Sequence, residues 1–548
     1  MRKLIPVLAL LLLFPSPGLR AEEPVDLEMV TRIRAEGFHN SQVMDVASHL
    51  TEEIGARLTG SPQLLAANEW TKTKLSEWGL ANAHLEPYPF GRGWSFSRSV
   101  VRMVAPREAQ LVAYPKAWTP GTEGPVRGEA LRADLKSEKD FDKYRGKLAG
   151  KILFLDAIEE LESADGPELR RYDEAGLGEI SAFEIISTGG RRSGNWRNTA
   201  QERWKLRRAL AEFLATEKVA ATVEASSRAH GIVRVSLGGS WEPGESEGVP
   251  AVVMAREQYN QIVRRLDAGR PVEVEVDVAA RFHDGDTRAF NTLAEIPGTD
   301  KKDEIVMAGA HLDSWHSSTG ATDNAAGVSV VMEAVRILKA LGVKPRRTIR
   351  VALWTGEEQG ILGSAAYVKE HFASRPETTD PEQKKLPERY RDETWPLQVK
   401  PEHRKLVAYF NLDNGSGKIR GIYTEENAGV KPIFEAWLAP FADLGAHTVT
   451  LRKTGGTDHG PFDQVGLPGF QFIQDDLDYE SRTHHTHLDD YDHLRREDLM
   501  QASVIMASFL YNTAMRPEPL PRKPLPQEPP KPKEDKKDEE AATAAGRR

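Results

Sequence analysis

Apolar residues recur at helical spacing through residues 29–55 and 61–79, on either side of the turn ARLTGSP, and predict helices at the start of the chain. The pattern then turns to short alternating runs, RSVVRMVAP and AQLVAYP, which predict strands. From about 120 to 265 short apolar runs alternate with polar loops (LAGKILFLD, ATVEASS, GIVRVSLGG, VPAVVMARE), the texture of a mostly β inserted domain. From Asn291 onward the order is strand, loop, helix. NTLAEIPG and EIVMAGAH read as strands, NAAGVSVVMEAVRILKALG as a helix, RTIRVALWTG as a strand and residues 361–370 as a helix. KLVAYFNLD, the helix VKPIFEAWLAPFADLG, the strand GFQFIQ and a helix over 496–513 complete the series. This alternation predicts an α/β fold: a doubly wound, mostly parallel sheet with helices on both faces and its site beyond the carboxyl ends of the strands.

The ends of the chain read differently. Residues 1–21, MRKLIPVLALLLLFPSPGLRA, have a basic start, an apolar run too short to span a bilayer and a small residue at Ala21, so they predict an export signal and a periplasmic or secreted protein with no stable membrane insertion. Residues 516–548 hold eight Pro between 517 and 532 followed by mixed charge, which predicts a disordered, solvated tail. Between them lie an expected N-terminal part of the main domain (22–119), the insert (120–265) and the main domain (266–515). The net charge of -9 and the lack of a basic block exclude a nucleic-acid surface. With no Cys in 548 residues, disulfide and thiol chemistry are excluded too.

Candidate chemistry gathers at predicted strand ends. HLDSWHSSTGATDNAAG (311–327) follows EIVMAGA and carries His311, Asp313 and Asp323; Glu357 and Glu358 follow the next strand; Asp413 follows LVAYFNL. Singly these residues have ordinary explanations, Asp323 as a helix cap and the glutamates as first-turn charges. Together, on one edge of one sheet, the carboxylates would repel or protonate unless a divalent cation, or two sharing a carboxylate, lay among them. SRTHHTHLDDYDH, with His484, His485, His487 and His493, can supply a further ligand. Adjacent side chains point apart, so one of Glu357 and Glu358 can hold metal while the other handles a proton. NGSGKIR is not a phosphate loop: Leu412 and Ile419 stand where that motif needs Gly and Ser or Thr.

GARLTGS, YRGKLAGKILFLD, AGAHLDSW, GATDNAAG, TGEEQGILGS, NLDNGSG, GGTDHGPFDQVGLPG and HHTHLDD together resemble the M28 family of co-catalytic zinc peptidases, in the form with an inserted protease-associated domain. The resemblance implies two Zn2+ ions per chain. It makes His311, Asp323, Glu358, Asp413 and His485 the metal ligands, with Asp323 bridging, Glu357 the general base, and Asp313 and Asp489 the carboxylates supporting the ligands. Thr454 stands where some members carry a Tyr near the oxyanion; other members use the residue before the last His ligand, so the resemblance implies His484 as the oxyanion donor. Asp490 replaces a small hydroxyl residue. Asp458 and His459 are read as pocket-shaping, and Trp315 and His316 as lining. The function so implied is an exported exopeptidase acting on peptide or protein substrates, an aminopeptidase in the main reading and a carboxypeptidase or dipeptidase in the alternative. A metal-stabilised binding protein is the reading from another class, and a second copy of the chain is an open option as partner.

Overall fold

The computed structural model describes residues 23–161, 168–182 and 193–530. The first of two eight-stranded sheets is built from β1 (Ala81–Pro89), β2 (Arg288–Ile296), β3 (Lys301–His311), β4 (Arg347–Trp354), β5 (Leu406–Asn411), β6 (Ile419–Tyr423), β7 (Thr448–Thr450) and β8 (Gly469–Gln474). Their spatial order is β1-β2-β4-β3-β5-β8-β6-β7. The centre, β4-β3-β5-β8, is parallel, while β1, β2 and β6 join antiparallel. The result is a mixed α/β fold with a central sheet flanked by helices.

The central strands read as near-continuous apolar runs because both their faces are covered. Residues 305–311 of β3 are buried throughout, and the helices Leu27–His39, Ala326–Ala340 and Arg496–Met515 pack one face into a single large core. Tyr367 and Val368 of the helix Leu362–His371 and Phe462 cover the other. Each large apolar side chain buried this way contributes about 1.5–3 kcal/mol. Helix Ala326–Ala340 starts unusually close to the strands because Gly327 has no side chain: a Cβ there would lie 2.3 Å from the Leu412 carbonyl oxygen and 2.4 Å from Asn324 Oδ1.

The second sheet does not end where the pattern suggested. In order its strands are Ala109–Leu111, Gly93–Ala105, Glu273–His283, Val126–Arg132, Ile152–Phe154, Ala221–Ala225, Ala251–Met254 and Ala113–Pro115, so it reaches past 120 and 265 on both sides. The long strand Gly93–Ala105 pairs with Glu273–His283, and neither belongs to the first sheet. Nor is the unit purely β. Its middle strands are parallel, and helices Ser193–Thr216 and Arg256–Asp267 accompany them. Leu206, Leu210, Phe213 and Leu214 of the first of these helices pack on Leu148 and Leu153, a spacing readable in the sequence but hidden among its many charges.

The tail also departs from expectation over its first half. Residues 516–530, with seven prolines, form no helix or strand, yet residues 520–523 lie against the body. Leu520 is 2% exposed, Asn427 donates to the Pro521 carbonyl at 2.7 Å, and Arg522 donates to the carbonyls of His403, Arg404 and Leu406. Residues 531–548 and the expected export segment at 1–21 lie outside the described residues. Among the described residues no helix is long and apolar enough to cross a membrane.

Candidate metal centre

The parallel strands β4, β3 and β5 end together, so the loops that leave them converge. His311 ends β3 opposite Trp354, the last residue of β4, while Gly309 of β3 stands opposite Asn411, the last of β5. Two residues past Asn411 comes Asp413, and three past Trp354 comes Glu357. His311 Nε2 lies 3.2 Å from Asp413 Oδ1 and 3.2 Å from Asp323 Oδ1. His485, after β8, places Nε2 at 3.3 Å from the other oxygen of Asp323 and 3.0 Å from Glu358 Oε2. Asp323 therefore stands between two imidazoles, one oxygen to each. All five residues expected as ligands meet here.

Among the described residues two groups offer three ligand atoms within 4.8 Å of one another: His311, Asp323 and Asp413, and Asp323, His484 and His485. The second contains His484 where the sequence reading had Glu358. His484 stacks on Tyr479 at 4.8 Å between centroids, and its buried Nδ1 has no hydrogen-bond partner. The imidazole thus stands among the ligand atoms and is more than a neighbour of His485. Glu358, 3.0 Å from His485 and with its own Oε1 unpartnered, remains equally well placed.

The supporting carboxylates act largely through backbone N–H groups. The Asp313 carboxylate lies 3.6 Å from His311 Nδ1, but the closer acceptor, at 3.0 Å, is the Asp313 backbone carbonyl. The carboxylate instead accepts from Thr59 Oγ1 (2.9 Å) and the backbone N–H groups of Glu357 (3.4 Å) and Glu358 (3.3 Å), fixing the two glutamates against β3. Asp489 touches no imidazole. It accepts from the Thr322 N–H (2.6 Å), the Thr322 hydroxyl (2.7 Å) and the Asp323 N–H (3.1 Å), so it aims Asp323 by holding its backbone.

One cation was not visible in the strand-end loops. Arg57, in the turn ARLTGSP far upstream of these loops, is fully buried and donates to the carbonyls of Leu50, Gly55, Leu312, Thr319 and Gly320. Its donors are consumed by carbonyls, so it shapes the loop carrying Asp313 and Asp323 without pairing any carboxylate. Burial pulls its pKa down to about 10.

Electrostatics show what is missing. Burial pushes Glu357 well above the usual carboxylate range, with Asp413, Asp458 and Glu358 adding to the shift, and Glu358 rises for the same reason beside Asp323. Burial and Asp323 raise Asp489 to about 7. Burial opposes charge on His485, but Glu358 and Asp323 outweigh it and lift the imidazole to about 10. Asp323 goes the other way: burial would raise it, yet its bonds to His311 and His485 hold it well below the usual range. Buried carboxylates that push one another toward protonation, with oxygens of Asp323 and Glu358 left unpartnered, are the donor set that a divalent cation relieves. The residues fit the ions.

Asp458 is buried, bonded to Ser364 Oγ through one oxygen and unpartnered at the other, and burial raises its pKa to about 8. His459 lies 3.6 Å from Glu425, away from both ligand groups. Trp315 is beside the site, 5.8 Å from the His485 ring, whereas His316 turns away to the Pro115 carbonyl at 2.7 Å.

Comparison with known proteins agrees with this geometry. The sequence profile of peptidase family M28 matches residues 291–510, the span that carries every ligand candidate. Carboxypeptidase Q of Bos taurus is 25% identical over 473 residues, 86% of this chain and 85% of that protein. Aminopeptidase YwaD of Bacillus subtilis is 25% identical over 285 residues, 51% of this chain and 54% of that protein. The crystal structure of a peptidase M28 precursor from Shewanella amazonensis SB2B superposes with a TM-score of 0.63 at 26% identity, covering 91% of this chain and 99% of that one. The profile, the relatives and the convergent donor set lead to one conclusion: this chain is a zinc metallopeptidase whose residues 291–510 are similar to peptidase family M28.

Proposed function

We propose that the chain is a di-zinc exopeptidase of carboxypeptidase or dipeptidase polarity, exported by its first 21 residues. The observation that carries the di-metal reading is Asp323, set with one oxygen toward His311 and the other toward His485. Asp413 completes the first ligand group, and Glu358 or His484 the second. Polarity is supported by the relatives: carboxypeptidase Q matches along most of this chain, the aminopeptidase along half of it. This favours the alternative of the sequence reading over its main form.

When bound, zinc supplies Lewis acidity, which makes water a nucleophile at neutral pH and polarises the scissile carbonyl. Glu357 supplies the proton traffic. Its backbone N–H is held by Asp313, and its raised pKa suits a carboxylate that collects a proton from water and returns it to the departing nitrogen. Asp313 and Asp489 keep the glutamates and Asp323 in place. A protein that only bound ligands would have no use for Glu357 in that position.

The test is hydrolysis of acetyl-Ala-Ala, whose only free end is its carboxylate, against Ala-Ala-amide, whose only free end is its amine. The proposal expects the first to be the better substrate by about 100-fold, with activity lost on chelation and restored by zinc. Preference for the amide would return the reading to an aminopeptidase.

A further inference from the structure

The second sheet supplies none of the candidate ligands, yet the loop between its strands Ala221–Ala225 and Ala251–Met254 is hydrogen-bonded to the loop that carries His485. The Val235 N–H donates to the His485 carbonyl at 3.0 Å, the His487 N–H to the Val233 carbonyl at 3.1 Å, and the Val233 N–H to His487 Nδ1 at 3.0 Å. Between these contacts, Arg234 faces Thr486 in an antiparallel bridge. Its Nη2 lies 3.2 Å from His485 Nδ1. That places a guanidinium one imidazole width from the ligand atoms.

The backbone of a second arginine is tied to the same turn. The buried hydroxyl of Ser226 accepts the backbone N–H of Arg228 (3.1 Å) and of Arg234 (3.0 Å), and donates to the Ile232 carbonyl (2.7 Å). One hydroxyl thus ties both arginines to one turn that faces residues 480–486. The turn gathers like charges without gathering their counterions. Arg228 Nε is buried with no partner, and its nearest carboxylate, the largely exposed Glu480, is 3.9 Å away. Among the described residues no carboxylate lies within 4 Å of the Arg234 guanidinium. The contact with His485 does not satisfy it either: an imidazole that gives Nε2 to a cation carries its hydrogen on Nδ1, which sets two donors face to face. Burial and the Arg234 charge push the Arg228 pKa down, against a smaller opposing pull from Glu480 and Asp476.

We infer that Arg228 and Arg234 form the subsite for the free α-carboxylate of the substrate, so that the scissile bond is the last one of the peptide. The inference rests on the carboxypeptidase or dipeptidase reading above and names the residues that enforce it. Paired guanidiniums suit a carboxylate because each presents N–H groups in a planar fork. The short reach from His485 leaves room for one residue beyond the scissile carbonyl, since one residue spans about 3.8 Å. Glu480 is the placeholder that faces Arg228 until substrate enters.

The experiment compares Ala-Ala, Ala-Ala-amide and Ala-Asp-amide on the zinc-loaded full chain and on Arg228→Gln, Arg234→Gln and Arg234→Lys. It also measures Ala-Ala binding by calorimetry in a Glu357→Gln background. Wild type is expected to prefer Ala-Ala over both amides by about 100-fold. Each Gln variant is expected to raise KM for Ala-Ala by about 30–100-fold with kcat within about threefold, to erase the preference, and to weaken calorimetric binding in parallel while zinc content is unchanged; Arg234→Lys recovers part of the loss. If wild type shows the preference and the Gln variants keep it, other residues read the carboxylate and the inference falls while the polarity stands. If wild type shows no preference, the polarity itself is wrong and the inference falls with it. Equal turnover of Ala-Asp-amide and Ala-Ala would mean that the arginines read a side-chain carboxylate, which also overturns it. A Gln variant that loses zinc or its far-UV circular dichroism is set aside, and Arg228→Lys with Arg234→Lys then decide on the same KM criterion.

Discussion

The peptidase sheet brings carboxylates and imidazoles to the cleft on loops that leave buried parallel strands; the second sheet brings guanidiniums on a single turn tied by Ser226. The first side is over-supplied with negative charge and the second with positive charge. The deficits face each other across His485, whose Nε2 looks to Asp323 and Glu358 while Nδ1 looks to Arg234. A peptide with a free carboxylate, held with its last bond over the metals, answers both. On the proposed reading chemistry resides in one sheet and choice of substrate in the other, and substitutions on the two sides should fail in different kinetic terms.

The largest expected effect lies on the peptidase side. Glu357→Gln keeps the shape and removes the proton acceptor, so kcat should fall by about 10^3-fold or more while zinc content stays unchanged. Zinc analysis beside steady-state kinetics checks this. Equal loss of zinc would mean that Glu357 and Glu358 exchange roles.

Next comes Asp489→Asn, which leaves every ligand intact. The amide would turn an N–H group toward either the Thr322 or the Asp323 N–H, and Asp323 would lose its fixed backbone. Zinc affinity, measured by competition with a chelator, should drop by about 10–100-fold, with kcat of the fully loaded enzyme much less affected. An unchanged affinity would show that Asp323 is aimed by its helix alone.

The contrast between the sides also governs how legible each was. His311, Glu357, Glu358 and Asp413 could be read because each follows a strand whose apolar run announces it, and parallel pairing carries the strand ends to one edge. Arg57 could not: nothing in its turn reveals that the turn folds under the loop 312–320. Arg234 sat inside GIVRVSLGG, a run that looks like an ordinary strand, and only its pairing with Thr486 turns it toward the site. The insert's edges were misjudged because Gly93–Ala105 and Glu273–His283 lie far apart in the chain and pair only in three dimensions. The packed half of the tail escaped notice because prolines report the lack of a helix or strand and say nothing about docking.

A smaller effect separates the sides by pH. In the zinc-free protein His485, raised from the ordinary 6.5 to about 10 by Glu358 and Asp323 against burial, contributes stability that is complete below pH 6.5 and lost as pH climbs toward 10. Asp489, raised from 3.8 to about 7 by burial and Asp323, subtracts stability increasingly from pH 3.8 up to about 7. Both act in one direction, so the Tm of the zinc-free protein should fall steadily between pH 5 and 9. Zinc displaces the His485 proton, so its affinity should rise with pH over the same range, and the loaded protein should show a flatter profile. Thermal scans of both forms check it; a zinc-free Tm that rises with pH would remove the case that these groups are short of a cation.

The smallest expected effect tests the seam itself. Val235→Pro removes the N–H that donates to the His485 carbonyl, while Val235→Ala keeps that N–H and removes only packing from a residue that is 2% exposed. If the seam merely glues the sheets together, both variants should lower Tm and leave catalysis alone. If it places His485 and Arg234 relative to each other, the proline variant should raise KM for a free-carboxylate dipeptide by about three- to tenfold beyond the alanine variant, because a small misplacement at a substrate-orienting group is felt in binding before chemistry. Turnover of the amide should respond far less, since it has no carboxylate to misplace. Equal effects on both substrates would mean that the second sheet acts on the metal loop and not on the peptide, and the division of labour between the two sheets would dissolve.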